Sequence, residues 1–358
     1  MQATDVARAV AAAVEVASGL GLAAADARVL HDSNKLTLRL LPCNVVARVA
    51  VAEPESLQAE LEIARRLAET EAPVASLEPR VEPRVYERHG FVLTLWAYYE
   101  SAPREVSSAD YANALERLHA GMANVDVAVP HFSDRVAEAE RLVASRDRTP
   151  GLGDSERKLL STTLREPRRE IERRRFADQL LHGEPHVGNL LNTKSGPLFI
   201  DLETCCRGPV EFDLAHVPEA VSERYPGADQ ELLRACRLLV LAMVATWRWE
   251  LGDQLPNGRR AGRELLVSLA AGPPWPALDV VMRRARARDN PGMDWPAPLT
   301  VRELAAELGC SEDDVRSLIR NGELRTVACG IRPGLVPRHE VDGYLRRLEH
   351  RRGSTTTP

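Results

Sequence analysis

From Lys35 to Val51 two β-like runs, broken at Pro42-Cys43-Asn44, carry the pattern of an antiparallel hairpin, with His31 to Asn34 as the turn before it. Helical spacing takes over from Pro54 to Thr70, where Leu57, Leu61, Ala64 and Leu67 share one face behind an acidic start. Phe91 to Tyr99 alternates again and is aromatic, as a strand that closes a small sheet. Asp110 to Gly121 returns to helix, with Leu115 and Leu118 on the apolar side. Leu190-Leu191 and Leu198 to Ile200 flank the turn Thr193 to Gly196, which predicts a second hairpin. Leu232 to Leu251 is long and apolar, but Arg234, Arg237, Arg248 and Glu250 interrupt it, so it reads as a buried bundle helix and not as a membrane span. Strands cluster early and helices dominate later, so the pattern predicts an α+β chain.

Composition shifts at Gly272 to Pro298, where Pro273-Pro274-Trp275-Pro276, an arginine run and Trp295-Pro296-Ala297-Pro298 read as a linker. Beyond it, Thr300 to Glu303 is a capping box opening a helix to Leu308, and Ser311 caps a second helix ending at Arg320. A strand pair, Arg325 to Cys329 and Gly334 to Val336, and a last helix from Pro337 to Leu345 should follow. The expected organisation is therefore lobes over 1–99 and 100–272, a linker over 273–298 and a small domain over 299–350.

With 44 % hydrophobic and 28 % charged residues, the 358-residue chain has enough apolar content for more than one core. A formal net charge of −5 argues against a bulk nucleic-acid binder. Six cysteines form no CxxC pair, which predicts neither a zinc site nor a disulfide framework and fits a reducing cytoplasm. Met1 to Leu30 is rich in Ala and Val, yet Asp5, Arg8, Glu15 and Asp26 make it an amphipathic helix and not a signal peptide. Nearly all positive charge is arginine, the lysines being Lys35, Lys158 and Lys194.

Polar chemistry concentrates in Leu181 to Glu203. There the second hairpin would gather Glu184, Asn189 and Asp201 at one end, an oxygen donor set that suits Mg²⁺. His182-Gly183-Glu184 with Asn189, followed by Ile200-Asp201-Leu202-Glu203, resembles the aminoglycoside phosphotransferase and choline kinase-like family. The resemblance implies a bilobal protein-kinase-like fold that moves the γ-phosphoryl group of ATP or GTP to a hydroxyl of a small molecule. It assigns Glu184 to orient and deprotonate the acceptor, and Asn189 and Asp201 to hold Mg²⁺. It places Ser33 and Arg48 at the phosphates, pairs Arg48 with Glu60, and puts the base near Trp96 and Tyr98. His119, in a segment similar to the family's LxxLHA helix, is expected to be structural, and Asp213 to brace the catalytic loop.

Glu184 stands where the family has Asp, and no glycine-rich loop precedes the first hairpin. A second reading therefore stays open: a nucleotide or ligand sensor without turnover, coupled to the tail. The last fifty or so residues resemble excisionase- and MerR-like winged helix-turn-helix modules. That resemblance points to Arg316, Arg320 and Arg325, with Arg332, for DNA contact; a partner-docking module is the alternative, because Glu312, Asp313 and Asp314 open the second helix.

Overall fold

A computed structural model describes residues 3–32, 35–51, 54–102, 105–253, 255, 257–287, 301–308, 310–320, 327–329 and 332–335. The chain forms two compact units, Met1–Asp289 and Asn290–Pro358.

The first unit opens with helix α1 (Ala3–Gly19) and strands β1 (Ala24–Asp32), β2 (Leu36–Pro42) and β3 (Val45–Val51). Helix α2 (Pro54–Leu67) precedes β4 (Tyr86–Arg88) and β5 (Phe91–Ala97). The strands make one antiparallel sheet in the order β1-β2-β3-β5-β4. Side chains alternate across a sheet, so Leu36, Leu38, Leu40, Val45, Ala47 and Val49 all bury on one face. There they meet Ala9, Ala12, Ala13 and Ala17 of α1, whose small side chains let the helix lie close to the sheet. The same alternation sends Arg48 to the opposite face, in register with Thr37 on one side and Thr94 on the other.

β1 departs from the expected turn at His31-Asp32 and from a helix reaching Leu30. It is an edge strand with most side chains exposed, so no apolar alternation marks it in the sequence.

The larger lobe contains α3 (Ser108–Met122), α4 (Phe132–Ala144), α5 (Asp154–Arg173), β6 (Gln179–Leu181), β7 (Leu190–Thr193), β8 (Gly196–Phe199) and β9 (Cys206–Gly208). Helices α6 (Val210–Leu214), α7 (Glu219–Ser222), α8 (Gln230–Trp247), α9 (Gly258–Ala270) and α10 (Leu278–Ala287) complete it. Its core is built around Phe132, Phe199, Phe212, Leu115 and Leu118, and Val46 and Trp96 of the sheet pack against it. One clustered core thus reaches under both lobes. The linker expectation is corrected over 278–287: Leu278 and Val281 bury in this core because α10 packs on α9. Among the described residues no helix is long and apolar enough to cross a membrane.

The second unit holds α11 (Val301–Leu308), α12 (Glu312–Arg320) and the antiparallel pair β10 (Val327–Cys329) and β11 (Arg332–Leu335). Leu304, Ala305 and Val315 form its small core. Ser311 and Asp314 exchange hydrogen bonds as a capping box at the start of α12. The helix expected from Pro337 to Leu345 lies outside the described residues.

Candidate active site

β6 and β9 pair antiparallel and anchor a loop that starts at His182. Gly183 has φ +87°, and a Cβ there would fall on the Thr204 carbonyl oxygen, so this turn admits only glycine. The loop hangs from one carboxylate, Asp213 of α6. The backbone N–H groups of His182 and Gly183 donate to it at 2.9 and 2.8 Å. His119 of α3 adds Nε2 at 3.0 Å and has its Nδ1 2.8 Å from the Tyr225 hydroxyl. Burial alone would raise the Asp213 carboxyl, but the hydrogen bond and charge of His119 hold it below its ordinary range.

Glu184 follows directly, and its carboxylate is ion-paired with Arg135 of α4. Arg135 also donates to the carbonyls of Gly183 (3.1 Å) and Thr204 (3.4 Å), so one guanidinium clamps both the acid and its loop. Burial opposes ionisation of Glu184, yet the charge of Arg135 prevails and holds its carboxyl below the usual value. His216 is pushed down to about 4 by its burial and is neutral near pH 7.

A single 3₁₀ turn, Val187–Asn189, leads into β7. The Asn189 side-chain nitrogen donates to the Glu184 carbonyl at 3.0 Å, which leaves Oδ1 as the end able to meet a cation. Its backbone carbonyl accepts from Ile200 N–H at 3.0 Å, continuing the β7–β8 ladder that begins at Leu190 and Phe199. Asn189 and Asp201 therefore stand at the open end of one hairpin.

Asp201 adopts the left-handed conformation (φ 67°, ψ 69°), uncommon for a residue with a side chain and characteristic of constrained sites. Its Oδ1 accepts from Arg48 Nη2 at 2.7 Å. Burial would raise this carboxyl, but Arg48 holds it down, so it is ionised. Arg48 is in turn ion-paired with Glu60 of α2. Glu60 accepts from the Leu202 N–H at 3.2 Å and lies 3.4 Å from the Lys35 ammonium, which also pairs with Glu203. Two cations and three carboxylates, from β3, α2, the residue before β2 and the segment after β8, thus close on one point.

Asn189 and Asp201 supply the hard oxygen donors that a Mg²⁺-like cation takes. Among the described residues no three His, Cys, Asp or Glu side chains form a complete cage. A two-residue set matches the way Mg²⁺ is held by one or two protein groups together with substrate phosphates.

The structure brings Glu184, Asn189, Asp201, Arg48 and Glu60 into this region, with the pair between Arg48 and Glu60 as expected. The side chains of Trp96 and Tyr98 are both engaged within the protein. Trp96 is buried with Nε1 donating to Thr94 Oγ1 at 2.9 Å, and Arg39 lies over the Tyr98 ring at 3.8 Å and bonds its hydroxyl. Any contact from this stretch to a base would come from the main chain. Ser33 lies outside the described residues. Sequence reasoning missed Lys35 and Arg135. Arg135 is 49 residues from its acid and has no local signal; Lys35 had one, as a rare lysine in an arginine-dominated chain.

In the second unit Arg316 pairs with Glu312 at 2.6 Å and Asp313 at 2.9 Å on the surface of α12. The Arg320 side chain and all of Arg325 are outside the described residues, as is the side chain of Arg332.

A model of the phosphotransferase enzyme family matches residues 28–249. No curated protein sequence matches the chain. Among solved structures, the chain is similar to a spectinomycin phosphotransferase in complex with ADP and spectinomycin. That match has TM-score 0.55 and 10 % identity, covering 75 % of this chain and 96 % of the other. It is similar to wild-type aminoglycoside 2'-phosphotransferase-IIIa in a GDP complex, with TM-score 0.53 and 11 % identity over 78 % of this chain and 98 % of the other. A protein from Haemophilus somnus 129PT, described as a fructosamine-3-kinase, matches with TM-score 0.54 and 11 % identity over 73 % and 98 %. At such identities these likenesses establish the bilobal kinase-like fold, and the family model, spanning more than half of the sequence, shows that the chain belongs to the phosphotransferase enzyme family.

Proposed function

We propose that the first unit is a small-molecule kinase that transfers the γ-phosphoryl group of ATP or GTP to a hydroxyl of its acceptor. One observation carries the reading: Asp201, held in a left-handed conformation, is gripped by Arg48 of the other lobe, which Glu60 of α2 fixes in place. That arrangement readies a carboxylate for a cation and a guanidinium for phosphates at the same point. A cation bound by Asn189 and Asp201 would neutralise charge on the phosphate oxygens. Glu184, ionised and fixed by Arg135, orients the acceptor hydroxyl and takes its proton. Asp213 and His119 keep that loop in shape, and Arg135 keeps the longer acid from wandering.

The acceptor class is suggested by the structural neighbours, which include a spectinomycin phosphotransferase and an aminoglycoside 2'-phosphotransferase. Mg²⁺-dependent turnover of ATP and GTP should be measured against aminoglycosides, macrolides, amino alcohols and sugars. Phosphorylation of at least one panel member above the no-acceptor rate is expected. Tight nucleotide binding with no turnover of any acceptor would replace the enzyme by a sensor.

The second unit is read as a helix-turn-helix pair that docks a protein partner. Glu312, Asp313 and Asp314 place three carboxylates on the first turn of α12, and Arg316 is already paired with two of them. Negative charge there opposes DNA phosphates. A gel shift with random duplex DNA at low salt is expected to show no retardation; retardation that Arg320→Ala removes would establish DNA contact instead.

A further inference from the structure

We propose that Lys35 is a phosphate-binding residue of this site, its ammonium leaving Glu203 to contact the phosphate oxygens of the bound nucleotide. This rests on the phosphotransferase reading above and deepens it.

No glycine occurs between Gly21 and Gly90, so the stretch joining the first strands has no glycine loop with which to wrap phosphates in backbone N–H groups. Positive side chains beside that turn can hold phosphates in place of such a loop. Lys35 sits immediately before β2, at the point where β1 turns back into the sheet. It is 7 % exposed, whereas Lys158 and Lys194 are on the surface. A buried ammonium is costly unless it is paired. Here both partners are carboxylates, Glu60 at 3.4 Å and Glu203.

The residue type carries information too. In a chain whose positive charge is nearly all arginine, the most buried cation among the described residues is a lysine. Arginine offers a planar fork suited to a fixed carboxylate, while lysine offers a compact charge with three rotatable donors on a flexible stem. Such a head can pass from one oxygen partner to another without rebuilding its surroundings. Glu203 makes the exchange possible, because its side chain is 24 % exposed and can return to water when the ammonium leaves it. Glu60 stays behind as the shared anchor, with one carboxylate oxygen toward Arg48 and the other toward Lys35. The two cations therefore flank Glu60, and a polyphosphate meeting Arg48 also comes within the neighbourhood of Lys35.

The test is calorimetric titration of the full chain with ATP, GTP, ADP, adenosine and guanosine in the presence of Mg²⁺. Lys35→Met is expected to weaken triphosphate binding ~10- to 100-fold, the range for losing a hydrogen bond to a charged group, and to leave nucleoside binding unchanged. Lys35→Arg should recover part of the loss, and Lys194→Met should bind as the parent does. A Lys35→Met protein that binds triphosphate normally, or that loses triphosphate and nucleoside equally, overturns the assignment. Should that variant not fold, the parent protein still decides. With three lysines, a ¹³C-lysine-labelled chain gives a resolvable Lys35 Cε signal, assigned through Lys35→Arg. That signal should move with triphosphate and stay still with nucleoside; no movement with bound triphosphate overturns the proposal. A parent protein that binds none of the nucleotides would overturn the phosphotransferase reading itself and Lys35's role with it.

Discussion

Asp201→Ala is expected to lower Mg²⁺-dependent nucleotide affinity at least ~100-fold, while Glu184→Ala leaves that affinity intact and cuts turnover by ~10²- to 10⁴-fold. The split follows from where the two carboxylates are held. Asp201 faces Arg48 at the meeting point of the lobes, so its loss removes the proposed cation ligand and leaves Arg48 with Glu60 as its sole carboxylate partner among the contacts described above. Glu184 is held by Arg135, a partner outside that network, and only its backbone carbonyl accepts from Asn189. A group that acts only in transfer moves kcat, whereas one that holds the metal moves binding as well. Nucleotide titrations with and without Mg²⁺, set beside steady-state rates, separate the two. Equal losses of affinity in both variants would refute the division of labour. Glu184→Asp should lower activity as well, because Arg135 fixes a carboxylate of the longer reach and a shift of ~1 Å can cost ~100-fold.

The second large effect is expected at Asp213, which touches neither phosphates nor acceptor in the proposed mechanism. Asp213→Ala should destabilise the first unit by ~3–5 kcal/mol, the usual cost of removing one partner from a fully buried charged hydrogen-bond set. Three donors lose their acceptor at once: the backbone N–H groups of His182 and Gly183 and the His119 ring. The sign of the pH dependence is fixed by the depressed carboxyl. The contribution is present above the ordinary carboxylate pKa of about 4 and fades as the pH falls through the lower folded value. The stability gap between parent and variant should accordingly narrow below about pH 4. Urea unfolding of both proteins from pH 7 downward measures it. A gap under ~1 kcal/mol at pH 7 would show that the loop does not depend on this carboxylate.

Much of this site was legible because its signal is local. Glu184 and Asn189 lie just before and Asp201 just after one hairpin, whose strands Leu190-Leu191 and Leu198 to Ile200 and the turn between them bring the two ends together. The family resemblance implies Arg48 and Glu60 as a pair, from an arginine on the second strand of the first hairpin and a glutamate on the helix that follows, and the two side chains do pair. Arg135 was not legible, since a contact made across 49 residues leaves no mark on local periodicity. The same holds for α10. Its proline-rich flanks and arginines read as linker, and only packing on α9 reveals Leu278 and Val281 as core. β1 escaped notice because a strand paired on one side alone has little need of apolar alternation.

That one-sided strand has a further consequence for how the molecule behaves at high concentration. A sheet margin with free backbone groups invites a second copy to add its own strand, and proteins that avoid this interrupt the margin or shorten it. Here β1 breaks register with β2 twice, between Ala24 and Asp26 and between Val29 and His31, and it turns Asp26, Arg28, His31 and Asp32 to solvent. The opposite margin, β4, is three residues long. Both sides are thereby poor templates for strand addition, and the small lobe is protected against the growth of intermolecular β-structure.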